Sequence, residues 1–310
     1  MQNNLKLPVN TMISIQDLSK SFERENLFET INLVIHTREK IAFVGKNGSG
    51  KTTFFNCITG KESFQGRIMV SDIKISLMEQ EQSFSNLNKT FDEYLKDKEN
   101  KLEERKNKLE ERIGSPENYE DEDEFNSLMD EYNLLLADSS FDTEQIRTKK
   151  ILDELGMTQD FLDQKIKSLS GGQKTKLRLA ECLSKKANFY LLDEPTNNLD
   201  LPTREWLENY LNKNVESLMV ISHDRYFLNR VVDKVLELEN QQIREWSYPF
   251  VKYLEKKKDY IEVLERKYKD AKKKQKQLLE SAEEKRRWAA KNGSPKLKRL
   301  ADRLERDAKQ

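Results

Sequence analysis

The chain has only two cysteines and two histidines in 310 residues. Cys57 and Cys182 each fall inside a helical pattern, so a reducing, cytoplasmic setting without a structural disulfide is expected. Cysteine and histidine scattered this thinly make no zinc site. The N-terminus lacks the charged-then-apolar order of a secretory leader. No run approaches the ~18 apolar residues of a membrane-crossing helix, so none is expected. Net charge is missing too, because 55 basic residues balance 55 acidic ones. The total therefore names no partner; only the distribution can. Charged residues make up 35% and hydrophobic ones 36%. That is room for one α/β domain with a full core, extended by long solvated helices.

The most informative stretch present is GKNGSGKTT at residues 45–53, entered from the apolar run IAFV. Gly45, Gly50, Lys51 and Thr52 fit G-x-x-x-x-G-K-[ST], with Asn47, Gly48 and Ser49 between and Thr53 after. Backbone N–H groups freed at the glycines curl around a phosphate and lead into a helix N-terminus. Lys51 supplies a point charge for the terminal phosphates, and Thr52 a hydroxyl for Mg²⁺. The plain alternative is a glycine-rich turn before a helix. The strand-like run before it and the helical pattern after it favour the phosphate loop.

A second apolar run, FYLL, ends in Asp193 and Glu194. Asp193 is placed to hold Mg²⁺, and Glu194 to orient and deprotonate an attacking water. Two carboxylates at a strand end are common by chance. A third apolar run, residues 218–221, is followed by Ser222 and His223, so His223 is expected at the γ-phosphate side of the same crevice. LSGGQ at residues 169–173 then precedes an amphipathic helix with Leu177, Leu179, Ala180 and Leu183. Ser170, Gly171, Gly172 and Gln173 form a second anion-binding surface. One set of phosphates needs one cradle, so this surface is expected to close over ATP held by a different domain.

Elsewhere, residues 12–18 and 27–35 alternate as antiparallel strands, and residues 68–70 and 73–78 read as a hairpin. Residues 151–155 read as a helix, and 235–238 with 242–245 as a closing hairpin. Residues 92–145 carry 19 acidic and 7 basic side chains. Leu95, Leu102 and Leu109 recur every seventh position, Gly114-Ser115-Pro116 interrupts, and Phe125, Leu128, Met129, Tyr132, Leu135 and Leu136 form a second stripe. An αα-hairpin projecting from the domain is expected rather than an acidic loop. Residues 255–310 reverse the balance, with 20 basic and 11 acidic side chains. Ile261, Leu264, Tyr268, Ala271, Gln275, Leu278 and Ala282 form a heptad stripe on one long helix. Asn292-Gly293-Ser294-Pro295 ends it, and Leu297, Leu300 and Leu304 begin a returning helix whose pairing runs out at Gln310. A truncated chain is expected from that.

Together these motifs resemble an ABC-type ATPase domain, and within that superfamily the ABC-F proteins. The resemblance implies an α/β P-loop NTPase fold over residues 12–250, with residues 92–145 as an inserted helical arm. Residues 251–310 match the start of a helical inter-domain linker. It also implies Phe22 as the aromatic stacking on adenine, Gln80 as a glutamine near Mg²⁺ and nucleotide, and Asn197–Asp200 as the loop after the catalytic Glu194. Asn198 stands where the family commonly has histidine. The implied function is ATP hydrolysis with Mg²⁺ by a cytoplasmic ribosome-bound translation or protection factor. Its partners would be rRNA, peptidyl-site tRNA, a ribosomal protein at the arm, and a second ATPase domain beyond residue 310. A membrane transporter's ATPase subunit, a DNA-maintenance ATPase and a catalytically silent binding module share parts of this pattern.

Overall fold

The structure, a computed structural model, describes residues 8–22, 25–79, 84, 86–115, 122–137 and 141–309. β1 (Thr11–Phe22) and β2 (Glu25–His36) pair antiparallel, burying Ile13, Ile15 and Leu18 with Ile31 and Ile35. Burial alternates with period 2 along β2, whereas residues 11–15 of β1 are buried on both faces. β3 (Lys40–Gly45) likewise buries its central Ile41, Ala42 and Phe43. α1 (Lys51–Ile58) follows at once and packs Phe54 and Phe55 on Phe43, with ring centroids 4.9 and 6.2 Å apart. This aromatic seam fixes the helix behind the glycine loop.

β4 (Gln65–Val70) and β5 (Ile75–Met78) do not form the hairpin read from the sequence. β4 joins the free edge of β1, completing a sheet of order β2-β1-β4, whereas β5 runs parallel to a strand far along the chain. Alternation identifies a strand but says nothing about which sheet it enters.

The helical stretch between β5 and α6 begins with α2 (Phe91–Gly114), started by a reciprocal capping box between Thr90 and Glu93. α3 (Glu122–Ala137) returns beside it, tied by Arg105 to Glu131 at 2.5 Å and by Tyr132 to Glu110 at 2.6 Å. Leu128 is buried between them, while Pro116 and the side chains of Leu135 and Leu136 lie outside the described residues. α4 (Phe141–Glu154), which takes in residues 151–154 of the expected helix and ends before Leu155, and the short α5 (Gln159–Leu162) lead to α6 (Gly171–Ser184). The root of α2 is fastened to α6, because Lys98 Nζ and Tyr94 Oη both donate to Glu181.

β6 (Phe189–Asp193), α7 (Leu201–Asn214), β7 (Leu218–Ile221), α8 (Arg225–Val231), β8 (Lys234–Glu239) and β9 (Gln242–Trp246) complete this unit. The second sheet has the order β5-β6-β7-β3-β8-β9, parallel except for the closing β8–β9 hairpin. Every residue of β6 and β7 is buried, as strands covered on both faces require. Because β3, β7 and β6 are parallel neighbours, the turns leaving all three emerge at one edge, where ligands bind in open α/β sheets.

Residues 251–310 form a second compact unit. Its helices α9 (Phe250–Asn292) and α10 (Pro295–Lys309) meet along Ala282, Ala289, Ala301 and Ala308. Gln275 donates to the Ala308 carbonyl at 2.9 Å, and Arg286 reaches Asp302 at 3.0 Å and also Glu305. Earlier on the stripe, Ile261, Leu264 and Tyr268 are exposed. Among the described residues no helix is long and apolar enough to cross a membrane.

Candidate active site

The loop between β3 and α1 bends through Gly48 (φ 76°) and Gly50 (φ 99°), conformations that side-chain-bearing residues adopt at a cost. Gly50 is also pressed against Leu27, whose atoms lie 3.1 Å from where a Cβ would sit. Gly45 packs on the Leu238 carbonyl, and Ser49 Oγ is buried without a hydrogen-bond partner among the described residues. Lys51 opens α1 and is buried, its Nζ donating to the carbonyls of Gly45 and Lys46 at 3.1 and 3.0 Å. Burial pushes its ammonium below the ordinary value, against the pull of Asp193 and Glu194. Thr53 is half-buried on the same turn.

Thr52 Oγ1 donates to Asp193 Oδ2 at 2.6 Å, joining the glycine loop to the end of β6. The other oxygen, Asp193 Oδ1, is buried and accepts no hydrogen bond among the described residues. Burial raises this carboxyl above the usual range, with the Thr52 hydrogen bond opposing. An orphaned anionic oxygen beside a hydroxyl is what a hard divalent cation satisfies, so the donor set fits Mg²⁺.

Glu194 leaves the strand at φ 50°, uncommon for a residue with a side chain. Its N–H donates to the Ile221 carbonyl at 2.8 Å, which turns the carboxylate into the crevice. Burial raises its pKa, and His223 opposes most strongly. His223 Nε2 lies 3.5 Å from Glu194 Oε1 while its ring stays 66% exposed, facing inward and outward at once. Asn47, Gly48, Lys51, Thr52, Asp193, Glu194, Asn197, Ile221 and His223 line one cavity of about 290 Å³. Asn197 is expected from the sequence only as the start of the loop after Glu194 and not as a site residue; an uncharged amide in a loop gives no distinguishing signal.

Ser170, Gly171, Gly172 and Gln173 do not line that cavity. They start α6 with a capping box: Ser170 Oγ accepts from the Gln173 N–H at 3.2 Å, and Gln173 Oε1 from the Ser170 N–H at 2.7 Å. Their nearest link to the site is Asn198, which packs on both glycines. Phe22 ends β1, but its side chain lies outside the described residues, as does Gln80 altogether.

A family model described as ABC transporter matches residues 28–197, which carry the glycine loop, the LSGGQ helix and the Asp193-Glu194 strand. The chain belongs to the ABC transporter family. It is therefore an ATP-binding, ATP-hydrolysing P-loop domain, and membership implies use of ATP with Mg²⁺. YdiF of Bacillus subtilis (strain 168) is 37% identical over 251 residues, covering 79% of this chain and 39% of YdiF. The ribosome protection protein VmlR of the same organism is 30% identical, covering 74% of this chain and 35% of VmlR. The chain thus spans about two fifths or less of these relatives' lengths. A solved structure titled as the ATP binding subunit of an ABC transporter superposes with a TM-score of 0.54 at 19% identity, covering 76% of this chain and 90% of that one. At that identity the likeness is one of fold.

Proposed function

We propose that this ABC domain hydrolyses ATP at the Lys51, Thr52, Asp193, Glu194 and His223 cavity, as part of a cytoplasmic, ribosome-bound protein of the ABC-F kind. The observation that carries the hydrolytic reading is the convergence of these five side chains, from three strand ends, in one cavity. Thr52 and Asp193 would hold Mg²⁺, whose chemistry there is neutralisation of phosphate oxygens. Lys51 would release its two carbonyls to bind the terminal phosphates. Glu194 would take the proton of an attacking water, for which a carboxylate with a raised pKa is suited. His223 would contact the γ-phosphate side. That Ser170–Gln173 do not line this cavity supports completion of the site by a second ATPase domain, expected in the same chain beyond residue 310.

The ribosomal reading draws on VmlR's name, on the helical insertion and on the basic surface of α9. Lys272, Lys273, Lys274 and Lys276 are all exposed there, and neutralising RNA phosphate needs such a surface. The acidic insertion suits a basic ribosomal protein better than rRNA. A transporter subunit would share the sheet and the cavity, so binding decides. In a sedimentation assay with ATP, the Glu194→Gln protein should pellet with ribosomes and the Lys51→Ala protein should not. Replacing the four lysines by glutamine should lower the salt slope by up to about 0.7–0.9 for each phosphate they had neutralised. Equal pelleting of Glu194→Gln and Lys51→Ala would refute an ATP-dependent ribosome clamp.

A further inference from the structure

Residues 196–200 are fastened to the loop carrying His223 at two points. Thr196 Oγ1 and Ser222 Oγ lie 3.1 Å apart, both residues buried, and Ser222 Oγ accepts the Asp224 N–H at 3.1 Å. Arg204 closes the ring from the other side. Its Nε donates to the Leu199 carbonyl at 3.0 Å and its Nη1 to Asp224 Oδ2 at 3.1 Å. Asp224 Oδ1 meanwhile caps α8 by accepting from the Tyr226 and Phe227 N–H groups. His223 is the residue held between these anchors, and its backbone N–H faces Glu194 Oε2 at 3.4 Å.

Arg204 stands in the opening turn of α7, where a cation meets the positive end of the helix dipole and the N-cap carboxylate of Asp200 offsets it. The position also supplies reach: a guanidinium presents its donors in a fixed fork, here spanning a carbonyl on one loop and a carboxylate on another.

We propose that Arg204 is a positioning residue for hydrolysis, holding residues 222–224 against residues 196–200 so that His223 stays opposite Glu194. This rests on the reading of Glu194 and His223 given above. The clamp reaches further, because Asp200 lies 3.9 Å from Lys176 on α6 and Asn198 packs on Gly171 and Gly172. Closure of another domain on α6 would therefore bear on a loop that Arg204 has made stiff.

Arg204→Met keeps the aliphatic stem and removes both donors, while Arg204→Lys keeps the charge without the fork. Arg204→Met should leave ATP affinity within about twofold and lower turnover by about tenfold, the signature of an interaction that acts after binding. Arg204→Lys should recover part of the loss. A second measurement needs neither ATP nor turnover. His36 and His223 are the chain's only histidines, so NMR of the imidazoles should show the His223 signal moving in Arg204→Met while the His36 signal stays. Unchanged turnover with an unmoved His223 signal overturns the proposal. So does a loss of ATP affinity and melting temperature in parallel with turnover, which marks Arg204 as structural only. If Glu194→Gln turns over like the unaltered chain, the reading of the site fails, and the His223 signal still decides whether the clamp exists.

Discussion

Gly172 and Asn198 are in backbone contact: a Cβ on Gly172 would stand 2.5 Å from the Asn198 carbonyl oxygen. Asn198 presents that oxygen from a left-handed backbone, φ 61°. The start of the LSGGQ helix is thus seated on the loop that follows Glu194, within one chain.

That contact sets the sign of a substitution. Alanine at 172 should gain up to about 1 kcal/mol of helix propensity over glycine. Overpacking against a backbone oxygen costs typically about 1–3 kcal/mol, and should win. Gly172→Ala is expected to lower the melting temperature with ATP affinity retained, since the phosphate loop is elsewhere. Thermal denaturation beside nucleotide titration checks both halves.

Asn198 itself should tolerate glycine and resist branching. The left-handed region costs a residue with a Cβ about 1–2 kcal/mol, least for asparagine and most for β-branched side chains. Asn198→Gly is expected to melt near the unaltered chain and Asn198→Val clearly below it.

Asp200 caps α7 by accepting the Thr203 N–H at 3.0 Å, and hydrogen bonding to Thr203, its side chain first and this N–H second, holds the carboxyl below the usual value. A depressed carboxylate stabilises the fold above its unfolded pKa, and the effect is lost as pH falls through the folded one. Asp200→Ala should therefore cost about 1 kcal/mol at pH 7, with the gap narrowing below about pH 4. Denaturant unfolding at both pH values reads this.

Cys57 and Cys182 are buried, and burial pushes both thiols up to about 11. Thiolate is the reactive form. Neither should be alkylated by iodoacetamide at pH 8 in the folded chain, and both should react once it is unfolded; mass spectrometry counts the adducts.

The parts of the site legible in sequence were those whose chemistry is local. Gly50, Lys51 and Thr52 declare a phosphate loop because the loop needs left-handed glycine, a cation and a hydroxyl within a few residues. β6 and β7 were legible as unbroken apolar runs ending in polar side chains. What stayed hidden depends on distant pairing. Residues 68–70 and 73–78 alternate well enough for a hairpin, yet β4 and β5 find partners in different sheets. Arg204 and Asp224 are twenty positions apart, and nothing in either neighbourhood announces a bridge. The stripe on α9 was visible, but its extent of pairing was not: Gln275 meets α10, and Tyr268, one heptad earlier, is exposed.

Hydrolysis in this cavity requires Glu194 to act on water beside bound ATP, and phosphate release at saturating ATP measures that step most directly. Glu194→Gln preserves the shape of the side chain and removes the base. It should bind ATP as the unaltered chain does and lose about 10²–10⁴-fold in turnover. Equal turnover in the two proteins, each with ATP bound, would contradict the assignment of this cavity as the hydrolytic site.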